Sequence, residues 1–317
     1  MTDAEVLIQQ LIVGISNGMI IALIALGYTM VYGIVELINF AHGDLFMLGS
    51  FLALTIVGVA LGTGSTDAGA GTFVLLFLLV PVFCGVLNVV VEKLAYKPLR
   101  NAPKLAPLVS AIGVSFVFLN LGLFWGGIPM EVFNMGRAAA APKDFPALLS
   151  YSNLLGESVI QLTPKDVLVI GVTIPLMLAL TLFVKLTRAG QAMRAVAQNP
   201  LAAQLMGIDV NWVISLTFLI GGALAGAASV IYALYNNTIY FQMGYRVGID
   251  AFTAAVLGGI GNLPGAMLGG ILIGLIRAAS DQYIETRWTN VMVFSILVLV
   301  LVFRPAGLLG TTRKEKV

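Results

Sequence analysis

Eight long apolar runs mark the chain, at approximately Val6–Val31, Asp44–Leu61, Thr72–Val91, Leu105–Trp125, Asp166–Leu186, Trp212–Tyr235, Pro264–Ser280 and Trp288–Phe303. Most approach or exceed the ~20 residues a helix needs to cross a bilayer core. The runs are continuous rather than alternating, which predicts an all-α bundle of spanning helices and excludes a closed barrel. A further stretch, Ala251–Ile260, is too brief to cross alone and predicts a short broken or re-entrant segment. Such a break is tolerated at membrane depth only inside protein or against a cavity, and transporters tend to build their pathways there. The first run is read as a retained span. It is longer than a signal core, and Asp3 and Glu5 precede it where a signal peptide carries positive charge.

Lysine and arginine in the connections set the orientation. Lys93, Lys97, Arg100 and Lys104 follow the third run, Lys185, Arg188 and Arg194 follow the fifth, and Arg304, Arg313, Lys314 and Lys316 form the tail. All three are expected in the cytoplasm, the second as a loop over 187–210 and the third as a tail over 304–317. The stretch 126–163 balances Arg137 and Lys143 with Glu131, Asp144 and Glu157 and is expected on the extracytoplasmic side. The N-terminus then lies outside and the C-terminus inside. That requires an odd number of crossings, so Ala251–Ile260 has to supply a partial one. Glu36, Asp250 and Asp281 fall near run ends and are expected to be solvated or interfacial. Met47–Leu52 echoes Met267–Leu272, either as a parallel internal repeat or by chance.

Composition narrows the class. The 317 residues are 59% hydrophobic and 10% charged, with 35 glycines, and the mean hydropathy is +0.99. Soluble domains carry roughly 25% charge. Disordered, collagenous and coiled-coil chains and an ordinary cytosolic enzyme are excluded, leaving a single integral membrane domain over 1–317. A net charge of +2 is too small to indicate nucleic-acid binding. The one cysteine, Cys84, allows no disulfide within the chain and no cysteine-cluster metal site, and reads as a small buried hydrophobe. No G-x-x-x-x-G-K-[ST] loop occurs, so no nucleotide site is expected on this chain.

One short segment does not belong in water. In 199–207, Asn199 is a good N-cap, Pro200 suits the first helical position and Gly207 can close the end left-handed. The helix is about two turns long and mostly apolar. Leu201 and Leu205 share one face, with Ala202 and Met206 beside them. It either packs against the ends of its own bundle or docks in a groove on another protein.

The stretch Gly190–Ile208 resembles the cytoplasmic coupling loop of ABC importer permeases. Ala202, Ala203, Gly207 and Ile208 fit the pattern Glu-Ala-Ala, then glycine and isoleucine. Leu201 stands where the glutamate would be, so that acid's role does not carry over. Gly27–Gly33 with Ile38–Asp44 resembles the N-terminal signature of LivH-type branched-chain amino-acid permeases, and Ala251–Ala266 resembles their C-terminal signature. The three stretches occur in family order. The resemblance implies a permease subunit of an ATP-driven importer for branched-chain or other small amino acids. Urea and short-amide permeases are similar, and a passive channel or secondary transporter is the other alternative. It implies as partners a LivM-like second permease subunit, two ATP-binding subunits that hold ATP and Mg²⁺, and an extracytoplasmic substrate-binding protein. The segment with Arg194, Asn199, Pro200, Leu201, Ala202, Ala203, Leu205, Met206, Gly207 and Ile208 is then the ATPase-coupling loop. The 126–163 loop is either an outer docking surface or a cap over helix ends.

Two polar clusters are candidates for the translocation path. Asn39, His42 and Asp44 lie between two apolar runs. Either Asp44 caps the second span while Asn39 and His42 satisfy broken backbone, or they contact solute. No second histidine stands nearby, so no metal site is expected. Gly258, Gly259, Gly261, Asn262 and Pro264 break two apolar pieces, and serve either close helix packing or path lining. No catalytic residue is expected.

Overall fold

The computed structural model describes residues 2–35, 39–61, 69–100, 102, 103 and 105–310. Glu36, Ile38, Lys104, Arg313, Lys314 and Lys316 lie outside the described residues. The chain folds into helices α1 (Asp3–Val35), α2 (Ala41–Leu61), α3 (Ala70–Val91), α4 (Leu105–Gly126), α5 (Pro164–Leu186), α6 (Arg188–Gln198), α7 (Pro200–Leu205), α8 (Val210–Asn236), α9 (Met243–Gly258), α10 (Leu263–Tyr283) and α11 (Thr289–Phe303). Among the described residues, eight helical stretches are long and apolar enough to cross a membrane, α11 counting together with the turn Thr286–Trp288 that leads into it, and they coincide with the eight apolar runs.

Polar residues punctuate the greasy sequence and set the helix starts. Thr163 and Asp166 close a reciprocal capping box on α5, with Pro164 at its first position. Asp209 accepts from two backbone N–H groups at the start of α8, and Asn262 accepts from Gly265 at the start of α10. The start of α2 corrects one expectation. The helix begins at Ala41, whose N–H is taken by Asn39 Oδ1 at 3.2 Å, so Asn39 and not Asp44 caps it.

α1 is apolar all round and buried without interruption from Gly18 to Val31, which makes it the central helix. Its closest partner is α10, across a seam of small residues. A Cβ built on Gly18 would lie 2.8 Å from Ile271 Cα, and one on Gly14 would lie 3.0 Å from Leu275 Cα. Gly270 and Gly274 face Ala22 and Gly18 from the other side. Lipid tails supply no hydrophobic drive between helices, so close backbone approach and dispersion must hold them. α3 meets α8 in the same way at Gly85, Gly222 and Gly226. α4, α5 and α11 instead turn most of their apolar side chains outward.

The 126–163 connection and the α6–α7 connection emerge from opposite ends of α5. Gln9 near the start of α1 exchanges hydrogen bonds with the Gln161 backbone at 3.2 and 2.8 Å, which puts that terminus at the 126–163 end. Leu308 and Leu309 donate to the Leu257 and Gly258 carbonyls at 2.9 and 3.0 Å, close to the break that faces α6. The first and the last described residues therefore lie at opposite ends of the bundle. The partial crossing that this geometry needs is α9, which begins at Met243, eight residues before the stretch the sequence singled out. Its 16 residues span about 24 Å, short of a ~30 Å core.

The 126–163 segment is tied down by two lysines. A two-residue strand, Lys143–Asp144, pairs antiparallel with Thr238–Ile239 after α8. Lys143 is buried, and its ammonium donates to the carbonyls of Phe133, Arg137 and Ala138 at 3.1–3.3 Å. Burial pushes its pKa below the usual lysine value. Lys165 donates to Tyr235 O and Asn237 at the end of α8 and lies 3.8 Å from the Tyr151 ring centroid.

Candidate functional site

α7 is short because both ends are closed chemically. Asn199 is extended, and its Oδ1 accepts from Ala202 N–H at 3.0 Å. At the other end Gly207 N–H donates to Gln204 O at 3.0 Å and Ile208 N–H to Ala203 O at 3.1 Å. That is a Schellman closure, and it needs Gly207 left-handed, at φ +82. Ala203 faces inward at 3% exposure, whereas Leu201, Leu205 and Met206 stand 69%, 81% and 82% exposed. Six helical residues cannot hold themselves together by propensity alone. The caps therefore fix a projecting apolar knob rather than a frayed loop.

Two cavities lie along α1, near the two ends of its seam with α9. The larger, about 550 Å³, opens at the α6–α7 end between Tyr32, Lys185, Arg194, Gln198 and the break before α10. The smaller, about 350 Å³, lies toward the other end, between Asn17 and Ile20 of α1, Arg246 and Asp250 of α9, and Arg277 and Asp281 of α10. Between them Tyr28, Tyr32, Phe252, Ala255 and Ile260 leave only about 10 Å³. That is room for about one water molecule. The Tyr28 and Phe252 rings meet edge to face, 6.3 Å between centroids. The order cavity, constriction, cavity holds along α1 from Asn17 to Gly33 and along the chain from Arg246 in α9 to Pro264 at the start of α10.

Gly261, Asn262 and Pro264 line the larger cavity, together with Arg194. Arg194 donates to Val184 O, and Asn262 Nδ2 to Leu309 O at 2.6 Å. Gly258 packs on Gly265, and Gly259, at φ +107, packs against Gly310 and Ala306. Asn39, His42 and Asp44 line neither cavity. Asn39 donates to Asn88 Oδ1 at 3.1 Å, and Asn88 donates in turn to Phe218 O at 2.7 Å. Asp44 accepts from Ser115, while its Oδ1 has no partner. The His42 ring lies 4.7 Å from that of Tyr28 and faces the Ile24 carbonyl, but neither nitrogen makes a hydrogen bond of good geometry.

Asp250 corrects a second expectation. It is 8% exposed rather than solvated, and it pairs with Arg277 at 2.5 Å. Arg277 also donates to Asn290 at 3.0 Å. Asp281 is exposed, as expected, and accepts from Thr289. Sequence reasoning did not single out Arg246, Arg277 or this charged cluster. The available signal was an arginine and an aspartate four apart beside a span, with a second arginine inside the next span.

The Branched-chain amino acid transport system / permease component family matches residues 10–302. The chain belongs to that family. The permease is 39% identical over 313 residues to the high-affinity branched-chain amino acid transport system permease protein BraD of Pseudomonas aeruginosa, with 98% of each chain covered. It is 38% identical over 312 residues to the LivH protein of the same description from Escherichia coli K12, covering 98% of this chain and 97% of that one. A probable LivH of Methanocaldococcus jannaschii is 27% identical, covering 93% and 90%. With its eight apolar helices, this permease is a multi-pass membrane protein.

Proposed function

We propose that this permease is the membrane-spanning subunit of an ATP-driven importer whose cargo is a branched-chain or other small amino acid. The observation that carries the reading is the doubly capped knob of α7, with Leu201, Leu205 and Met206 exposed to water at one end of the bundle. Two ATP-binding subunits supply the groove that covers it, hold ATP and Mg²⁺, and do all the bond chemistry. Concentrating a solute tenfold costs about 1.4 kcal/mol, which this chain has no motif to supply. The α7 end is cytoplasmic, in line with its arginines and lysines. A LivM-like second permease completes the membrane unit, and a soluble binding protein delivers cargo to the 126–163 face. Cargo follows the α1–α9 seam, and the Tyr28–Phe252 constriction is the closed gate. Closure of the ATPase pair moves α7, α6 and the cavity wall that includes Arg194, and so opens that gate.

The relatives' descriptions support the cargo class. Reconstitution in liposomes tests the reading. The full assembly with binding protein should accumulate L-leucine only with ATP inside, and this chain alone should pass nothing. Leucine flux through the chain alone would establish a passive channel, and uptake of urea in place of leucine would establish an amide permease.

A further inference from the structure

We infer that the smaller cavity is a low-affinity way-station for the zwitterionic head of an α-amino acid. The inference deepens the importer reading and rests on it. The cavity carries both charge signs at once. Arg246 and Arg277 face it together with Asp250 and Asp281. Arg277 is committed to Asp250 and Asn290, but Arg246 makes no ion pair among the described residues. Its charge acts on Asp250 from beyond ion-pair distance, which leaves its paired N–H donors open to a carboxylate. Asp281 is engaged only by a hydroxyl, so it is available to an ammonium. α1 contributes the aliphatic side chains of Val13, Ile20 and Ile21, together with the amides of Gln10 and Asn17. At about 350 Å³ the space is at the small end of ligand pockets. A small molecule with a positive end, a negative end and a short branched tail satisfies all three surfaces. A neutral amide leaves both charges unmet, and a monocarboxylate leaves one.

The position fits a transient stop rather than a store. Along α1 the cavity ends at Ile21, about two helical turns from the Tyr28–Phe252 constriction, on the end of the bundle that carries the 126–163 segment. Binding there must be weak enough to release cargo inward when the constriction parts. Arg246 and Asp250 lie four apart on α9, so one helix presents both signs, and any movement of α9 moves the site with it.

Cysteine protection tests this in the assembled permease–ATPase complex in nanodiscs, without binding protein. Val13→Cys and, as a second reporter, Asn17→Cys are labelled with N-ethylmaleimide. Native Cys84 is fully buried and silent. L-Leucine well above its Kd should slow labelling by roughly tenfold. Equal concentrations of 4-methylpentanoate and 3-methylbutylamine, which each carry one of the two charges, should leave the rate nearly unchanged. Arg246→Gln should abolish leucine protection. Absence of protection at both reporters, or equal protection by the singly charged analogues, overturns the site. Leucine uptake by the unsubstituted full assembly is measured in parallel. Uptake without protection removes the way-station and leaves the importer standing, whereas no uptake overturns the importer reading itself.

Discussion

Replacing Gly18 by alanine should drive α1 and α10 apart. The new methyl would lie 2.8 Å from Ile271 Cα and 3.0 Å from the Gly270 and Ile271 carbonyl oxygens. These are backbone atoms that cannot rotate away, and carbon atoms settle at about 3.5–4.0 Å. The helices must therefore separate by roughly half an ångström or more, thinning dispersion along the seam that holds the central helix. Overpacking of this kind costs about 1–3 kcal/mol, while alanine returns about 1 kcal/mol in helix propensity. The expected net loss is about 0–2 kcal/mol. Gly171 on α5 is the matched control. It is exposed, and a Cβ there meets nothing within 4 Å. Gly171→Ala should gain up to about 1 kcal/mol. The same chemical change should thus move stability in opposite directions. Heat-induced loss of the monodisperse peak, followed by fluorescence-detected size exclusion in detergent, reads the difference. Equal midpoints for the two variants would refute the close-approach argument.

Other substitutions separate folding from coupling. Leu205→Glu should leave the permease's own stability within about 0.5 kcal/mol, because the side chain is 81% exposed, yet abolish ATPase co-purification. The docked state loses about 1.5–3 kcal/mol of leucine burial and has to bury a carboxylate. Asn199→Ala removes one cap of α7, costing about 1 kcal/mol locally, and should weaken ATPase affinity several-fold in a titration with purified subunits. Arg277→Met leaves Asp250 buried and unpaired and should cost about 3–5 kcal/mol in thermal stability. The double variant Arg277→Met with Asp250→Leu should recover most of it.

The spans were legible because in lipid every backbone group must be satisfied within the helix, so an apolar run of sufficient length has little choice of structure. α7 was legible down to its caps, since Asn199, Pro200 and Gly207 act through backbone geometry within a few residues of themselves. The extent of α9 was not. Gly244, Arg246, Gly248 and Asp250 interrupt its apolar run, and the two glycines and the aspartate are there for neighbours far away in sequence. Gly244 and Gly248 lie against Gly43 of α2, and Asp250 meets Arg277 of α10. Asp44 illustrates the same limit. Its position just inside a span reads as a cap, but its carboxylate is engaged by Ser115, 71 residues away. The two cavities and the constriction between them come from the packing of six helices, α1, α5, α6, α8, α9 and α10, and hydropathy carries no trace of that. The aromatic residues Tyr28, Tyr32 and Phe252 stood inside the two signature stretches, yet only the fold brings them together.

The most direct test of the coupling claim is the accessibility of α7 in the assembled transporter. With Leu205→Cys or Met206→Cys in the permease, maleimide labelling should be fast in the isolated chain, where both side chains are more than 80% exposed. It should be strongly suppressed once the ATPase pair is bound, and the same cysteines should cross-link to the ATPase. Labelling that stays equally fast in the full assembly, with no cross-link at either position, would contradict the account.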